Sequence, residues 1–178
     1  KREEVLECSR TLFQSLKGKL RIKLDDSEKY TPGWKFNEYE MKGVPVRMEI
    51  GPRDVENGNV TLVRRDTGEK LTWPIDQVEQ KLPALLEEIQ ENMHRQALAH
   101  REENTRSADT YEEFASIIEE KRGFVRTHWC GDVACELKIK EDTKATLSCI
   151  PLNAQEEEGK CIVCGKRSGK RAIFARAY

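Results

Sequence analysis

Long apolar runs are missing from this 178-residue chain. No stretch approaches the roughly 18 residues needed to span a bilayer, and the charged start Lys1-Arg2-Glu3-Glu4 leads into no signal-peptide core. Both absences argue against membrane insertion and secretion and for a cytoplasmic setting. Glycine and proline number only 11 and 6, too few for a collagenous or linker-like chain. Glycine-rich phosphate loops, nucleophile elbows and His-Glu metalloprotease motifs are also absent, so no catalytic and no cofactor-binding residue is assigned. The six cysteines are too sparse for a disulfide scaffold, and four of them form two close pairs, which points to metal in a reducing compartment. Charge, by contrast, is abundant. Basic and acidic side chains number 31 and 32, for a net charge of −1.

That balance is uneven along the chain. Residues 1–72 carry 15 basic and 13 acidic groups, residues 73–118 carry 4 and 10, and residues 119–178 carry 12 and 9. An acidic middle separates two basic ends, and residues 160–178 hold six Lys/Arg with no Asp or Glu, a local field that attracts phosphate. A solvated surface is the simpler account of such charge when it is taken alone.

Apolar periodicity supplies the elements. Val5, Leu6, Ser9, Leu12, Phe13 and Leu16 recur at steps of three and four and predict an amphipathic helix that stops at Lys17-Gly18. Leu20, Ile22 and Leu24 alternate with Arg21 and Lys23, as Val44, Val46, Met48 and Ile50 do with Pro45, Arg47 and Glu49, so both segments read as half-buried strands. Between them 34–42 reads as a short helix. Strands at about 60–65 and 70–73 flank the turn Asp66-Thr67-Gly68. The expected domain is α/β with a mixed sheet over residues 1–75. Because it opens on a helix, its first strand is expected to lie in a longer polypeptide.

Val78, Leu82, Leu85, Leu86, Ile89 and Met93 then predict a long connecting helix within 76–108, begun or kinked near Pro83. Residues 109–178 are expected to form a small α+β domain. Thr110 with Glu113 fits a capping box, Gly123 stops the helix that follows, and from Phe124 onward short strands and loops are expected.

Cys130 and Cys135 are separated by four residues, Cys161 and Cys164 by two, and the pairs by twenty-five. Two such knuckles bring four thiolates to the corners of a tetrahedron, with Gly131 and Gly165 easing the turns, so structural zinc is the leading reading. A redox dithiol at Cys161/Cys164 leaves Cys130 and Cys135 unexplained, and an iron–sulfur centre is the third possibility. Cys8 and Cys149 are expected as small buried apolar residues, and His94, His100 and His128 receive no role.

The segment from Tyr30-Thr31-Pro32-Gly33-Trp34-Lys35-Phe36-Asn37-Glu38-Tyr39-Glu40 through Gly51-Pro52-Arg53-Asp54 closely resembles the anticodon-binding domain of prolyl-tRNA synthetases. The similarity continues through Val63-Arg64-Arg65-Asp66-Thr67-Gly68-Glu69-Lys70 into the cysteine region and its final Tyr178, which resemble the zinc-binding C-terminal domain of the eukaryotic and archaeal-type branch. The resemblance implies a full enzyme that activates proline with ATP and Mg2+, transfers it to tRNA(Pro), and dimerises chiefly through a catalytic domain. No counterpart of that domain is found among these residues, so the chain alone is expected to be a catalytically inactive monomer that binds tRNA. The resemblance further implies that Glu40 and Arg47 read anticodon guanines and that Arg53, Asp54 and Lys70 contact the RNA. It also implies that Tyr178 approaches the enzyme's own catalytic domain. Trp34, Phe36 and Tyr39 have the chemistry to stack on bases, but aromatics of a short helix on a sheet are expected as core. The alternative function is a non-catalytic, zinc-dependent protein-interaction module, with the acidic helices of 73–118 as its contact surface.

Overall fold

The computed structural model describes residues 1–177. The chain divides into two compact units, Lys1–Gln96 and Ala97–Tyr178, and the division falls inside the long helix.

The first unit opens with α1 (Arg2–Leu16), which turns Leu12 and Leu16 inward. The alternating segment at 20–24 is extended and lays Leu20 and Ile22 on the core, but it is not a strand: its only β-type pairing is an isolated bridge between Lys17 and Leu20. Alternation set which side chains point inward; no neighbouring backbone completes a ladder among the described residues. Thr31 caps α2 (Pro32–Met41), its hydroxyl accepting from the Trp34 amide, with Pro32 pre-set for the first turn. After β1 (Val46–Glu49) comes a short helix absent from the sequence reading, α3 (Pro52–Asn57). Asp54 nucleates it by accepting the Gly51 amide at 2.8 Å, and Gly58 ends it at φ +65°. β2 (Asn59–Arg64) and β3 (Lys70–Pro74) complete a sheet in the order β1-β2-β3.

Every pairing in this sheet is antiparallel, so the mixed sheet expected of the first unit is not found among its described strands. Tight turns joining β2 to β3 force antiparallel neighbours. The single helix α4 (Ile75–Glu103) passes through Pro83 without a break. Pro83 and Glu79 both lie on its exposed side, so water can satisfy the carbonyl that proline leaves without a donor. Val78, Leu82, Leu85 and Ile89 bury against Val60 and Leu62 of β2 and against α1. Each such side chain contributes about 1.5–3 kcal/mol of apolar burial.

The second unit contains the mixed sheet. β4 (Thr105–Ala108) runs parallel to β5 (Phe124–His128), and β9 (Arg171–Ala175) pairs antiparallel with both β5 and β6 (Thr146–Cys149). β9 is therefore an interior strand, with Ala172 and Phe174 buried, whereas Tyr178 lies outside the described residues. Thr110 caps α5 (Tyr111–Ser116) by accepting the Glu113 amide at 3.2 Å. The reciprocal bond comes to Glu113 from the Asp109 amide, one residue before the cap. A π-helical turn, Ile117–Lys121, follows and buries Ile118.

The sequence reading also missed α6 (Val133–Thr143), which starts on the Asp132 cap inside the first cysteine pair. Its Val133 and Leu137 are exposed and only Cys135 and Ile139 are buried, so it carries no apolar stripe to announce it. Cys149 is likewise exposed rather than buried, because β6 is an edge strand. The remaining strands, β7 (Gly159–Lys160) and β8 (Arg167–Ser168), form a small hairpin around the second cysteine pair. No helix is long and apolar enough to cross a membrane among the described residues.

Candidate nucleic-acid interface and metal centre

Register decides which side chains of the first sheet share a surface. Val46, Met48 and Ile50, with Val60, Leu62, Leu71 and Trp73, pack on the core. Alternation therefore turns Arg47, Glu49, Thr61, Val63, Lys70 and Thr72 to the other face. Arg47 pairs with Val63 and Val63 with Lys70, so the two cations lie in one row across the sheet, about 10 Å apart at two strand spacings.

Helix α2 returns over this face. The Arg47 side chain is 18% exposed: its Nη1 donates to Glu40 at 3.0 Å, its Nε to Glu49 at 2.8 Å, and its guanidinium lies 4.0 Å from the Phe36 ring centroid. Burial works against its charge, but its hydrogen bonds to Glu49 and Glu40 outweigh that and raise its pKa. The result is a flat, oriented fork held by two carboxylates and an aromatic ring. Glu40, by contrast, is 55% exposed and has acceptor capacity to spare.

Arg53 is exposed on α3 and Lys70 at the start of β3. Asp54 reaches the same face less freely, since one carboxylate oxygen holds the Gly51 amide and the other meets the Thr61 hydroxyl at 3.4 Å. The sequence reading did not single out Arg65, the residue directly after β2. It is exposed, its amide donates to the Pro45 carbonyl at 3.0 Å and its guanidinium meets the Met93 sulfur of α4 at 3.9 Å; no carboxylate pairs with Arg53, Arg65 or Lys70 among the described residues. Of the aromatics, Phe36 and Tyr39 are half-buried while Trp34 is exposed, which corrects the expectation that all three belong to the core.

Behind the sheet, the buried Arg64 joins the β2–β3 turn to α4. Its Nε and Nη2 donate to both oxygens of Asp66 at 3.1 and 2.9 Å, and its Nη1 donates to Glu88 at 2.5 Å. Asn92 adds a bond to Asp66 at 2.6 Å. These donors, led by Arg64, hold the Asp66 carboxyl down at about 2.

The cysteine quartet occupies the second unit. All four Sγ atoms lie within 4.8 Å of one another, with Cys130 3.7 Å from Cys135 and 3.6 Å from Cys164. Metal–sulfur arms of about 2.3 Å place tetrahedral corners about 3.8 Å apart, so the cluster fits a four-thiolate shell. Each knuckle is set by its backbone. Gly131, at φ +84°, turns the chain into the Asp132 cap, and the Cys135 amide returns to the Asp132 carbonyl at 3.1 Å. In the second knuckle Gly165, at φ +73°, donates to the Cys161 carbonyl at 2.9 Å, while the Cys161 amide donates to Lys166 at 2.8 Å. A bond from the Ile162 amide to the His128 carbonyl ties the two together.

Burial raises the Cys135 thiol, and the adjoining Cys164 and Cys130 thiols add to this. Burial also opposes ionisation of Cys161, but the amides of Cys164, Val163 and Cys130 outweigh it and bring that thiol to about 7. Crowded thiols with uneven proton affinities are what a metal ion resolves by replacing the protons. His128 stays outside the quartet: it is buried and its Nδ1 lies 3.2 Å from the Ser168 hydroxyl.

Comparison with known proteins covers both units of the chain. Residues 1–85 match the family described as anticodon binding domain, and residues 111–178 match prolyl-tRNA synthetase, C-terminal. The chain is 52% identical over 179 residues to a proline–tRNA ligase of Natranaerobius thermophilus, covering 99% of this chain and 37% of that protein. It is 56% identical over 159 residues to one from Rubrobacter xylanophilus, covering 89% of this chain and 33% of the relative. The crystal structure of prolyl-tRNA synthetase from Cryptosporidium parvum complexed with L-proline and AMP matches with a TM-score of 0.87 at 38% identity, over 99% of this chain and 38% of that one. The chain thus spans about a third of the length of these relatives. Its two units correspond in order to an anticodon-binding domain and a prolyl-tRNA synthetase C-terminal domain, and the chain belongs to the prolyl-tRNA synthetase family.

Proposed function

We propose that these residues form the tRNA-reading part of a cytoplasmic proline–tRNA ligase and recognise the two guanines of a proline anticodon. The observation that supports this reading most directly is the meeting of Glu40 and Arg47 over one face of the first sheet, with Lys70 in the same row. An unstacked guanine presents two adjacent N–H donors on its Watson–Crick edge, which suit the exposed Glu40 carboxylate. It presents O6 and N7 as acceptors, which suit the Arg47 fork. Glu49 and Phe36 hold that fork flat, so little freedom is lost on binding.

Lys70 and Arg53 are exposed cations positioned to meet phosphates, and Asp54 remains an acceptor through the oxygen that meets Thr61 only at 3.4 Å. The cysteine quartet holds a structural Zn2+ that braces the second unit: four thiolates fill its shell and leave no place for a substrate water. Proline activation with ATP and Mg2+ belongs, in this reading, to the part of the full-length, homodimeric enzyme outside these residues.

The test is the affinity of the chain for a proline tRNA transcript and for the same RNA with both anticodon guanines replaced, at one fixed salt concentration because phosphate attraction alone supports binding. Replacement should weaken binding about 5- to 100-fold per guanine lost. Glu40→Ala and Arg47→Ala should bind both RNAs with nearly equal, weak affinity. Equal binding of the unmodified chain to both RNAs would remove anticodon reading and favour an interaction module.

A further inference from the structure

One aromatic feature of the first unit is used neither by its core nor by the guanine-reading face. Tyr30 and Trp34 stack with ring centroids 3.8 Å apart and planes 17° from parallel, yet they stay 41% and 45% exposed. Packing two large rings together while leaving nearly half of each in water gives up burial that a core position would provide. The pair is also held in place. Thr31, between the two rings in sequence, caps α2 by accepting the Trp34 amide at 3.4 Å, and Pro32 fixes the first turn of the helix. The Lys29 ammonium lies 5.2 Å from the Tyr30 centroid. Among the described residues no further ring and no cation lies against Trp34, whose surface stays 45% exposed beside the Tyr30 stack.

We propose that the exposed surface of Trp34, backed by Tyr30, is a stacking platform for an unpaired nucleobase of the bound RNA, distinct from the bases met by Glu40 and Arg47. The inference rests on the RNA-reading function proposed above. Three properties point to a base as the occupant. A preformed two-ring stack extends by a third planar ring with little entropy lost, because the indole is already fixed. Lys29 adds a cation beside the stack that suits the phosphate joined to such a base. The platform is also on the same helix as a reading residue: Trp34 is in the first turn of α2, and Glu40 lies six residues on, about 9 Å along the helix axis and about 120° around it. A single strand whose bases are splayed apart can therefore lay one base on the indole while others reach Glu40 and Arg47. Stacking ignores base identity, so the platform adds affinity without changing the preference for guanine.

The experiment is a double-mutant cycle on the full 178-residue chain, using a synthetic anticodon-arm hairpin of a proline tRNA and a set of hairpins in which each loop nucleotide in turn is abasic. Trp34→Ala should weaken binding to the intact hairpin about 5- to 100-fold. It should weaken binding to a hairpin with both guanines replaced by the same factor. Trp34→Phe should keep most of the affinity. One abasic position other than the two guanines should cost the parent chain that same factor and cost Trp34→Ala nothing, which identifies the stacked nucleotide. Unchanged binding by Trp34→Ala, or a loss that couples to no loop position, overturns the platform. A parent chain that does not distinguish the guanine-replaced hairpin overturns anticodon reading instead. The two failures are thus separable.

Discussion

Asp66→Asn tests how the hairpin that carries Lys70 is held, because it removes one charge and leaves the shape. The Asp66 side chain is fully buried and accepts two bonds from Arg64 and one from Asn92. Arg64 chiefly, with Asn92 and against the cost of burial, lowers its pKa from the ordinary 3.8 to about 2. That depression corresponds to about 2 kcal/mol of folding stability at neutral pH. The sign follows from the direction. A carboxyl depressed on folding contributes fully above its unfolded value near 4, and the contribution is lost as pH falls toward 2.

Arg64 keeps Glu88 and Glu69 as partners, so the cost falls below the 3–5 kcal/mol typical of a charge stranded by removal of its buried partner. Urea unfolding followed through the Leu62 and Leu71 backbone amide signals reports on the first unit alone. The expected outcome is a loss of about 2 kcal/mol at pH 7 that shrinks toward zero between pH 5 and pH 2. A cost under about 0.5 kcal/mol at pH 7, or one unchanged at pH 2.5, would refute the coupling between Arg64 and Asp66.

Two further outcomes concern the second unit. The protein should carry about one zinc per chain by elemental analysis, and Cys161→Ser should abolish it. Amide signals of β5 and β9 should then broaden while those of β2 persist; full zinc content in the variant would exclude Cys161 as a ligand. Gly123→Ala should lower stability by more than about 2 kcal/mol, read as a fall in Tm. Gly123 sits at φ +85°, and an added Cβ would lie 2.3 Å from the Asn104 carbonyl oxygen, which accepts the Phe124 amide at 2.8 Å and so aligns β5 beside β4. An unchanged Tm would show that this approach is not tight in solution.

Several features were legible in order alone. The spacing of Val5, Leu12 and Leu16 gives α1, the run from Val78 to Ile89 gives the buried side of α4, and the Thr110–Glu113 pair gives the start of α5, because each signal is a contact between residues within two helical turns. The two cysteine pairs were equally plain, since a knuckle is a local turn. What one stretch of chain cannot encode is its partner. Leu20 and Ile22 alternate as in a strand and stay unpaired, whereas Thr105–Ala108, with no apolar alternation, is a strand because β5 lies alongside.

Glu40 and Arg47 were identified through resemblance; their 3.0 Å contact, the Phe36 ring under the guanidinium and the row shared with Lys70 come from the register of three strands and the return of α2. Trp34 shows the same division. As sequence it is one more apolar ring on a short helix, and only the packing around it decides that Tyr30 stacks on it and that nearly half of it stays exposed. Local order thus determined α1, α2, α4, α5, the turns and the cysteine pairs, because their energetics are settled by near neighbours. The tertiary structure alone decided which faces meet and which stay open, because burial is a property of the whole chain's path.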